Sequence, residues 1–224
     1  MNARLSTLAS WLVTLLTPLA LILFAVRLLL TPIFLQVEYR LPGFPEDPYG
    51  FTQQERLYWS RFALDYLLND AGIEYLGDLR FPESGSPVFN ARELRHMVDV
   101  KVLTRYTLGT AYTVWGLLVV LGVWARRGKW WQAYGRGLRR GGWATVMLVA
   151  AVLLFVVISF EALFTAFHRV FFEGDTWLFL YSDTLIRLFP MRFWQDTFLF
   201  VGLFALAGGL ALALGVKSSG QEGG

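Results

Sequence analysis

Four stretches of the chain run apolar without a single charged side chain: 5–26, 106–125, 141–160 and 197–216. An α-helix rises about 1.5 Å per residue and needs roughly 20 residues to cross a hydrocarbon core of about 30 Å. Each stretch is therefore expected to be a membrane span. The first is too long for a signal-peptide core and shows no small-residue cleavage site, so it is read as a retained helix. Gly202, Gly208 and Gly209 in the fourth are expected to let helices pack closely.

Between the spans the pattern changes. Residues 41–50, LPGFPEDPYG, read as a connector rich in proline and glycine. Thr52 with Glu55 forms a T-x-x-E capping box, which predicts a helix over 53–69 ending near Gly72. Its apolar residues (Leu57, Trp59, Phe62, Ala63, Tyr66, Leu67) cover a wide face, expected to lie against the outer leaflet while packing on the spans. Residues 73–79 read as a short strand and 81–87 as loop. Asn90 followed by Glu93 resembles another N-cap, so a helix is expected from Ala91 into the second span without a break. A turn is expected at 173–175, and Asp183 is placed to cap a short helix ending at Phe189, stopped by Pro190. The expected fold class is mainly α and integral to the membrane: four transmembrane helices with a small outer-facing cap. The divisions are 1–35, first span; 36–104, outer cap; 105–125, second span; 126–140, basic loop; 141–167, third span; 168–196, outer loop; 197–216, fourth span; 217–224, a short polar tail.

Charge orients this plan. Arg126, Arg127, Lys129, Arg136, Arg139 and Arg140 fall between the second and third spans, with no acidic residue among them. Basic residues in short loops mark the cytoplasmic side, so this loop and both termini are expected there. Residues 36–104 carry eleven acidic and seven basic side chains, and 168–196 carry four and three, which suits the opposite face. Trp124, Trp130, Trp131 and Trp143 would form the inner aromatic belt, and Tyr106 and Trp194 belong to the outer one. The hydrophobic share of 55% and mean hydropathy of +0.47 agree with a membrane protein. Arg27 is read either as a snorkelling arginine at a helix end or as a cation lining a polar cavity or binding a lipid phosphate, with Glu161 at a similar depth as its candidate partner.

Cysteine is absent, which excludes disulfides, thiolate metal sites and a cysteine acyl-enzyme. There is no internal repeat and no nucleic-acid signature. The candidate chemistry rests on two histidines, His96 and His168, both placed at the outer interface. Histidine titrates near neutrality and can accept and return a proton. Glu93 and Asp99 each lie three residues from His96. Glu93-x-x-His96 occurs once where di-metal bundles use it twice, no H-E-x-x-H exists, and no G-x-S-x-G supplies a serine. The residues thus leave open a proton-transfer enzyme, a metal-dependent membrane hydrolase using Glu93, His96, His168 and Asp99, and a scaffold without catalysis.

Two segments carry a resemblance. FNARELRHMVDVK (89–101) and FTAFHRVFFEGDTWLFLYSDTLIRLFP (164–190) resemble the paired signatures of the lipoprotein intramolecular transacylases, and the four-span plan is similar as well. The resemblance implies that the sn-2 fatty acyl chain of a diacylglyceryl lipoprotein moves to the α-amine of its N-terminal cysteine, giving a lyso-form product. It places the catalytic residues at His96 and His168. The tetrahedral oxyanion of that reaction needs donors, for which Asn90, Lys101 and Arg27 are the candidates, and Glu93 and Asp99 are expected as orienters. The implied partners are the lipoprotein substrate and membrane lipid, with no cofactor and no obligate protein partner.

Overall fold

The computed structural model describes residues 2–216. The polar tail expected at 217–224 lies outside them. The described chain is helical: α1 (Ala3–Leu29), α2 (Pro32–Glu38), α3 (Gln53–Leu68), α4 (Glu74–Gly77), α5 (Ala91–Arg127), α6 (Trp131–Phe171), α7 (Thr184–Leu188) and α8 (Met191–Gly215). Four helices are long and apolar enough to cross a membrane, namely α1, α5, residues 131–156 of α6, and α8. The chain divides into two compact units, one of residues 1–27, 108–157 and 199–224, the other of 28–107 and 158–198.

The first unit is held together by small residues that let backbones approach. A Cβ on Gly142 of α6 would meet the Gly209 carbonyl of α8 at 2.6 Å and the Ala213 nitrogen at 2.8 Å. Gly208 meets Leu21 and Gly202 meets Leu153, as expected of the fourth span. In lipid this close packing substitutes for the hydrophobic drive that water supplies elsewhere. Pro18 lacks the N–H that would bond the Thr14 carbonyl inside α1. Gly141 lies against that carbonyl, where a Cβ would come within 2.9 Å. The basic stretch 126–140, expected as loop, is helical from Trp131 onward. Its cations find partners that make this feasible. Arg140 donates to Ser10 Oγ at 2.7 Å and sits over Trp11, Arg139 donates to the Ala213 carbonyl near the end of α8, and Arg126 stacks on Trp131.

The second unit has its own core of Trp59, Ala63, Tyr66, Leu76, Val88, Phe89, Met97, Leu185 and Leu188. Thr52 and Glu55 form the capping box that starts α3. Part of the wide apolar face of α3 packs on this core, with Phe62 against Tyr75 and Trp59 against Phe81. Residues 73–79 are a single helical turn with its Leu76 side chain fully buried, rather than the expected strand. Seven residues cannot pair as a strand without a neighbour, and the only pairing among the described residues is an isolated bridge between Arg80 and Pro87. Helix α5 does run unbroken from Ala91 to Arg127. Its 37 residues would extend about 55 Å, well beyond a hydrocarbon core. The apolar stretch begins at Tyr106, so the charged first four turns are read as lying outside it.

Helix α6 is interrupted at Ser159, whose backbone is extended (φ −159°, ψ 83°). The apolar span therefore ends before the segment that carries His168.

Candidate active site

The first turn of α5 is built by a reciprocal cap. Asn90 Oδ1 accepts the backbone N–H groups of Arg92 (2.9 Å) and Glu93 (3.1 Å), and the Glu93 carboxylate reaches back to the Asn90 N–H (2.7 Å). The other oxygen of Glu93 accepts the N–H of Leu185, in α7, at 2.6 Å. Glu93 is 1% exposed, and burial raises its carboxyl to about 7 despite these backbone bonds.

Further bonds stitch the two segments that the sequence singled out. Asn90 Nδ2 donates to Asp183 Oδ1 at 3.0 Å, Thr184 Oγ1 donates to the Val88 carbonyl, and Arg92 donates to the Leu178 carbonyl at 3.0 Å. Asp183 does precede α7 as expected, but its carboxylate does not cap that helix. It accepts from Leu180 N and Asn90 instead.

One turn beyond Glu93 stands His96. His168 stands beyond the break in α6. The structure brings the two rings together, with centroids 6.1 Å apart and planes tilted by only 21°. Both are nearly buried, at 8% and 6% exposure. His168 Nδ1 lies 2.8 Å from the Phe164 carbonyl. A carbonyl only accepts, so Nδ1 carries the hydrogen and Nε2 is left as the basic nitrogen. His96 Nδ1 is buried without a hydrogen-bond partner among the described residues. Burial, and then the proximity of His168, pushes His96 down to about 4. Burial lowers His168 too, against the opposing bond to Phe164. Both imidazoles are therefore neutral near pH 7, the form that accepts a proton.

Aromatic rings surround the pair. Phe164 lies 4.1 Å from His168 by centroids, Trp177 5.0 Å and Phe172 5.5 Å, while Phe172 and Phe179 lie 4.9 and 5.3 Å from His96. The turn expected at 173–175 falls at 174–177, and Gly174 at its start holds the left-handed φ of +66° that glycine adopts without penalty.

Asp99 and Lys101 are engaged away from the imidazole nitrogens. Asp99 is exposed and its carboxylate accepts from Thr176 at 3.4 Å rather than orienting His96. Lys101 donates to the Ala71 carbonyl at 2.6 Å and to Asn69, over the face of Tyr66. Its ammonium, like the Asn90 amide, is thus engaged with the protein itself. Arg27 closes the first unit, in the last turn of α1. Glu161 belongs to the second, on the wall of a shallow hollow of about 650 Å³ that also includes Ala162 and Arg169. Reasoning from sequence missed Asp183 as a cross-link and the Phe164 carbonyl as the fixer of a tautomer. The latter was visible as an i−4 spacing on one helix.

The four membrane-length helices among the described residues define an integral membrane protein, and a buried imidazole pair marks its candidate site. Comparison with known proteins gives this class a narrower meaning. The model of the family described as "Lipoprotein intramolecular transacylase Lit" matches residues 11–194. An uncharacterised protein of Aquifex aeolicus (strain VF5) is 33% identical over 187 residues, 82% of either chain. The solved structure of the lipoprotein intramolecular transacylase Lit from Bacillus cereus is similar with a TM-score of 0.74 and 24% identity, over 93% of this chain and 91% of that one. A histidine-to-alanine variant of the same protein gives 0.67 and 23%, over 93% and 89%. At these identities the structures carry the fold. The chain belongs to the lipoprotein intramolecular transacylase family, and is thus a membrane acyltransferase.

Proposed function

We propose that this protein moves the sn-2 acyl chain of a diacylglyceryl lipoprotein onto the α-amine of its N-terminal cysteine, with His96 and His168 as general acid and base. The observation that carries this reading is the meeting of the two imidazoles, 72 positions apart in sequence, in one buried aromatic pocket.

The chemistry follows from the groups present. An α-ammonium has a pKa of about 8 and attacks an ester only after losing a proton. A neutral imidazole takes it. The C–N bond of the amide forms and the ester C–O bond breaks. Nitrogen gives up two protons in all: one ends on the departing glyceryl oxygen, the other leaves to solvent. The basic Nε2 of His168 suits the first abstraction, and the proton it takes is then passed to the leaving oxygen, with His96 beside it as the second acid/base. Donor and acceptor belong to one substrate molecule, so holding them in register supplies much of the acceleration. Asn90, Glu93 and Asp99 act by fixing the segments that bear the two rings. The acidic balance of 36–104 and 168–196, against the wholly basic 126–140, supports an outward-facing site with both termini in the cytoplasm.

The test is direct. Purified protein is incubated with a diacylglyceryl lipopeptide and the product is read by mass spectrometry. Transfer leaves the total mass unchanged while fragmentation moves the acyl group to nitrogen. A fragmentation pattern identical to that of the substrate would refute the proposal.

A further inference from the structure

We propose that Trp177 is a specificity-determining residue, whose indole closes the imidazole pair against water so that the acyl group passes to the amine and is not hydrolysed. This rests on the acyl transfer proposed above.

The pocket has two kinds of wall. Phe164 lies one helical turn before His168, and Phe172, just past the end of α6, is held near by its N–H on the His168 carbonyl, so the local chain brings both beside the ring. Trp177 is different. It arrives from the turn after α6 and tilts 35° over the His168 ring at 5.0 Å. It is also only half-buried, so part of the indole meets solvent while its ring lies beside that of His168.

Its position is built. The indole N–H donates to the Gly174 carbonyl at 3.1 Å, across a turn set by the positive φ of Gly174. On one side of Trp177, Thr176 Oγ1 donates to Asp99; on the other, the Leu178 carbonyl accepts from Arg92 at 3.0 Å. Both anchors lie on α5, the helix that carries His96. The turn is therefore pinned on either side of the indole to the element that supplies the second imidazole. This also gives Asp99 a purpose that its spacing from His96 did not reveal.

The chemical need is plain. A neutral imidazole beside an ester can also serve as general base for an attacking water. Attack by water breaks the same C–O bond. The acyl carbon then takes the water oxygen, one water proton ends on the glyceryl oxygen, and the products are a free fatty acid and a lyso-lipopeptide with its amine still free. An intramolecular transacylase must suppress this branch, and excluding water from the reacting groups does so.

The experiment measures the branch. The full-length protein in detergent micelles is given a diacylglyceryl lipopeptide, and mass spectrometry separates the mass-conserving N-acyl product from the lighter deacylated peptide. For W177A the hydrolysed share is expected to rise roughly tenfold over wild type, which corresponds to about 1.4 kcal/mol of lost discrimination. W177F is expected to restore transfer. W177A also exposes His168, so the acid limb of its pH–rate profile is expected to move to higher pH, which a loss of folding alone would not do. An unchanged partition in W177A overturns the proposal, whether or not the rate falls. So does loss of both products in a folded protein. If W177A does not fold, W177L, which keeps apolar bulk without the ring, carries the same expectation at smaller amplitude. Failure of the wild type to form any N-acyl product would strike the acyl-transfer reading itself, which sets the two failures apart.

Discussion

The carboxylate of Glu93 accepts the backbone N–H of Leu185 at 2.6 Å, so a side chain one turn before His96 holds the start of α7. The same carboxylate caps its own helix through Asn90 N. Glu93→Ala would leave the buried Leu185 N–H without a partner, at a cost of about 1–3 kcal/mol, and would open the cap at Asn90. The expected outcome is a lowered melting temperature together with a loss of transfer. Glu93→Gln keeps the shape but turns an NH₂ toward one of the two donors, so it should be intermediate. Thermal unfolding in detergent checks this; an unchanged melting temperature for Glu93→Ala would contradict the role.

His96 and His168 differ in how they are held, and substitutions should separate the parts. His168→Asn can still donate from its amide to the Phe164 carbonyl but offers no basic nitrogen. It should fold normally and lose activity by about 10²–10⁴, the usual worth of a positioned acid or base. His96→Ala should lose activity on the same scale. Product formation, measured beside an intact chromatographic and thermal profile, decides. Full activity in either variant would remove that imidazole from the mechanism.

Both imidazoles are lowered by burial, His96 to about 4. A base works only when unprotonated, so the acid limb of kcat/KM is expected below pH 6.5, the ordinary histidine value of about 6.5 being displaced downward. The same shifts act on stability. A histidine whose folded pKa lies below its unfolded value binds protons more readily when unfolded. Stability from these residues is therefore complete above about pH 6.5 and declines as pH falls below it. A pH–rate profile with its acid limb at or above 6.5 would contradict the burial of the pair.

The spans were legible because hydrocarbon imposes a length and a composition that little else imitates. The capping box of α3 and the unbroken course of α5 were legible because caps and periodicity are local. The roles of Glu93 and Asp183 were not. Their partners, Leu185 N and Asn90 Nδ2, lie 92 and 93 positions away, and backbone amides leave no mark on a sequence. Asp99 and Lys101 show the converse. Asp99 was expected to orient His96 from three positions away and Lys101 to meet the oxyanion, but on a helix of about 3.6 residues per turn five positions turn the Lys101 side chain well round the axis from His96. Lys101 thereby reaches Ala71 instead. The helix over 131–140 was obscured by its arginines, which find hydroxyl, carbonyl and indole partners that composition alone does not show.

Arg187 lies in the second signature yet points away from the imidazoles, into a pair with Asp47 of the proline- and glycine-rich connector. Its Nε and one terminal nitrogen both donate to Asp47 Oδ2, at 3.0 and 2.8 Å, and its guanidinium covers the Phe51 ring at 3.7 Å. The Asp47 side chain is fully buried. Burial works to raise its carboxyl, but the hydrogen bonds from Arg187 and from Phe51 N outweigh it and hold the group below the usual range. Such a pair is weak evidence for net stability, because desolvating two charges offsets much of their attraction. Breaking it is another matter. Asp47→Ala leaves a largely buried guanidinium unpaired and is expected to cost about 3–5 kcal/mol. Arg187→Lys cannot form the forked contact and should fall between that variant and the wild type. The double variant Asp47→Leu with Arg187→Met removes both charges and should recover part of the loss. Because the Asp47 carboxyl is held low, its contribution is present above about pH 4 and is lost as the pH falls further. Denaturation of the four proteins at pH 7, compared in one detergent, tests the coupling. A double variant no more stable than Asp47→Ala would show that the cost does not come from an unpaired buried guanidinium.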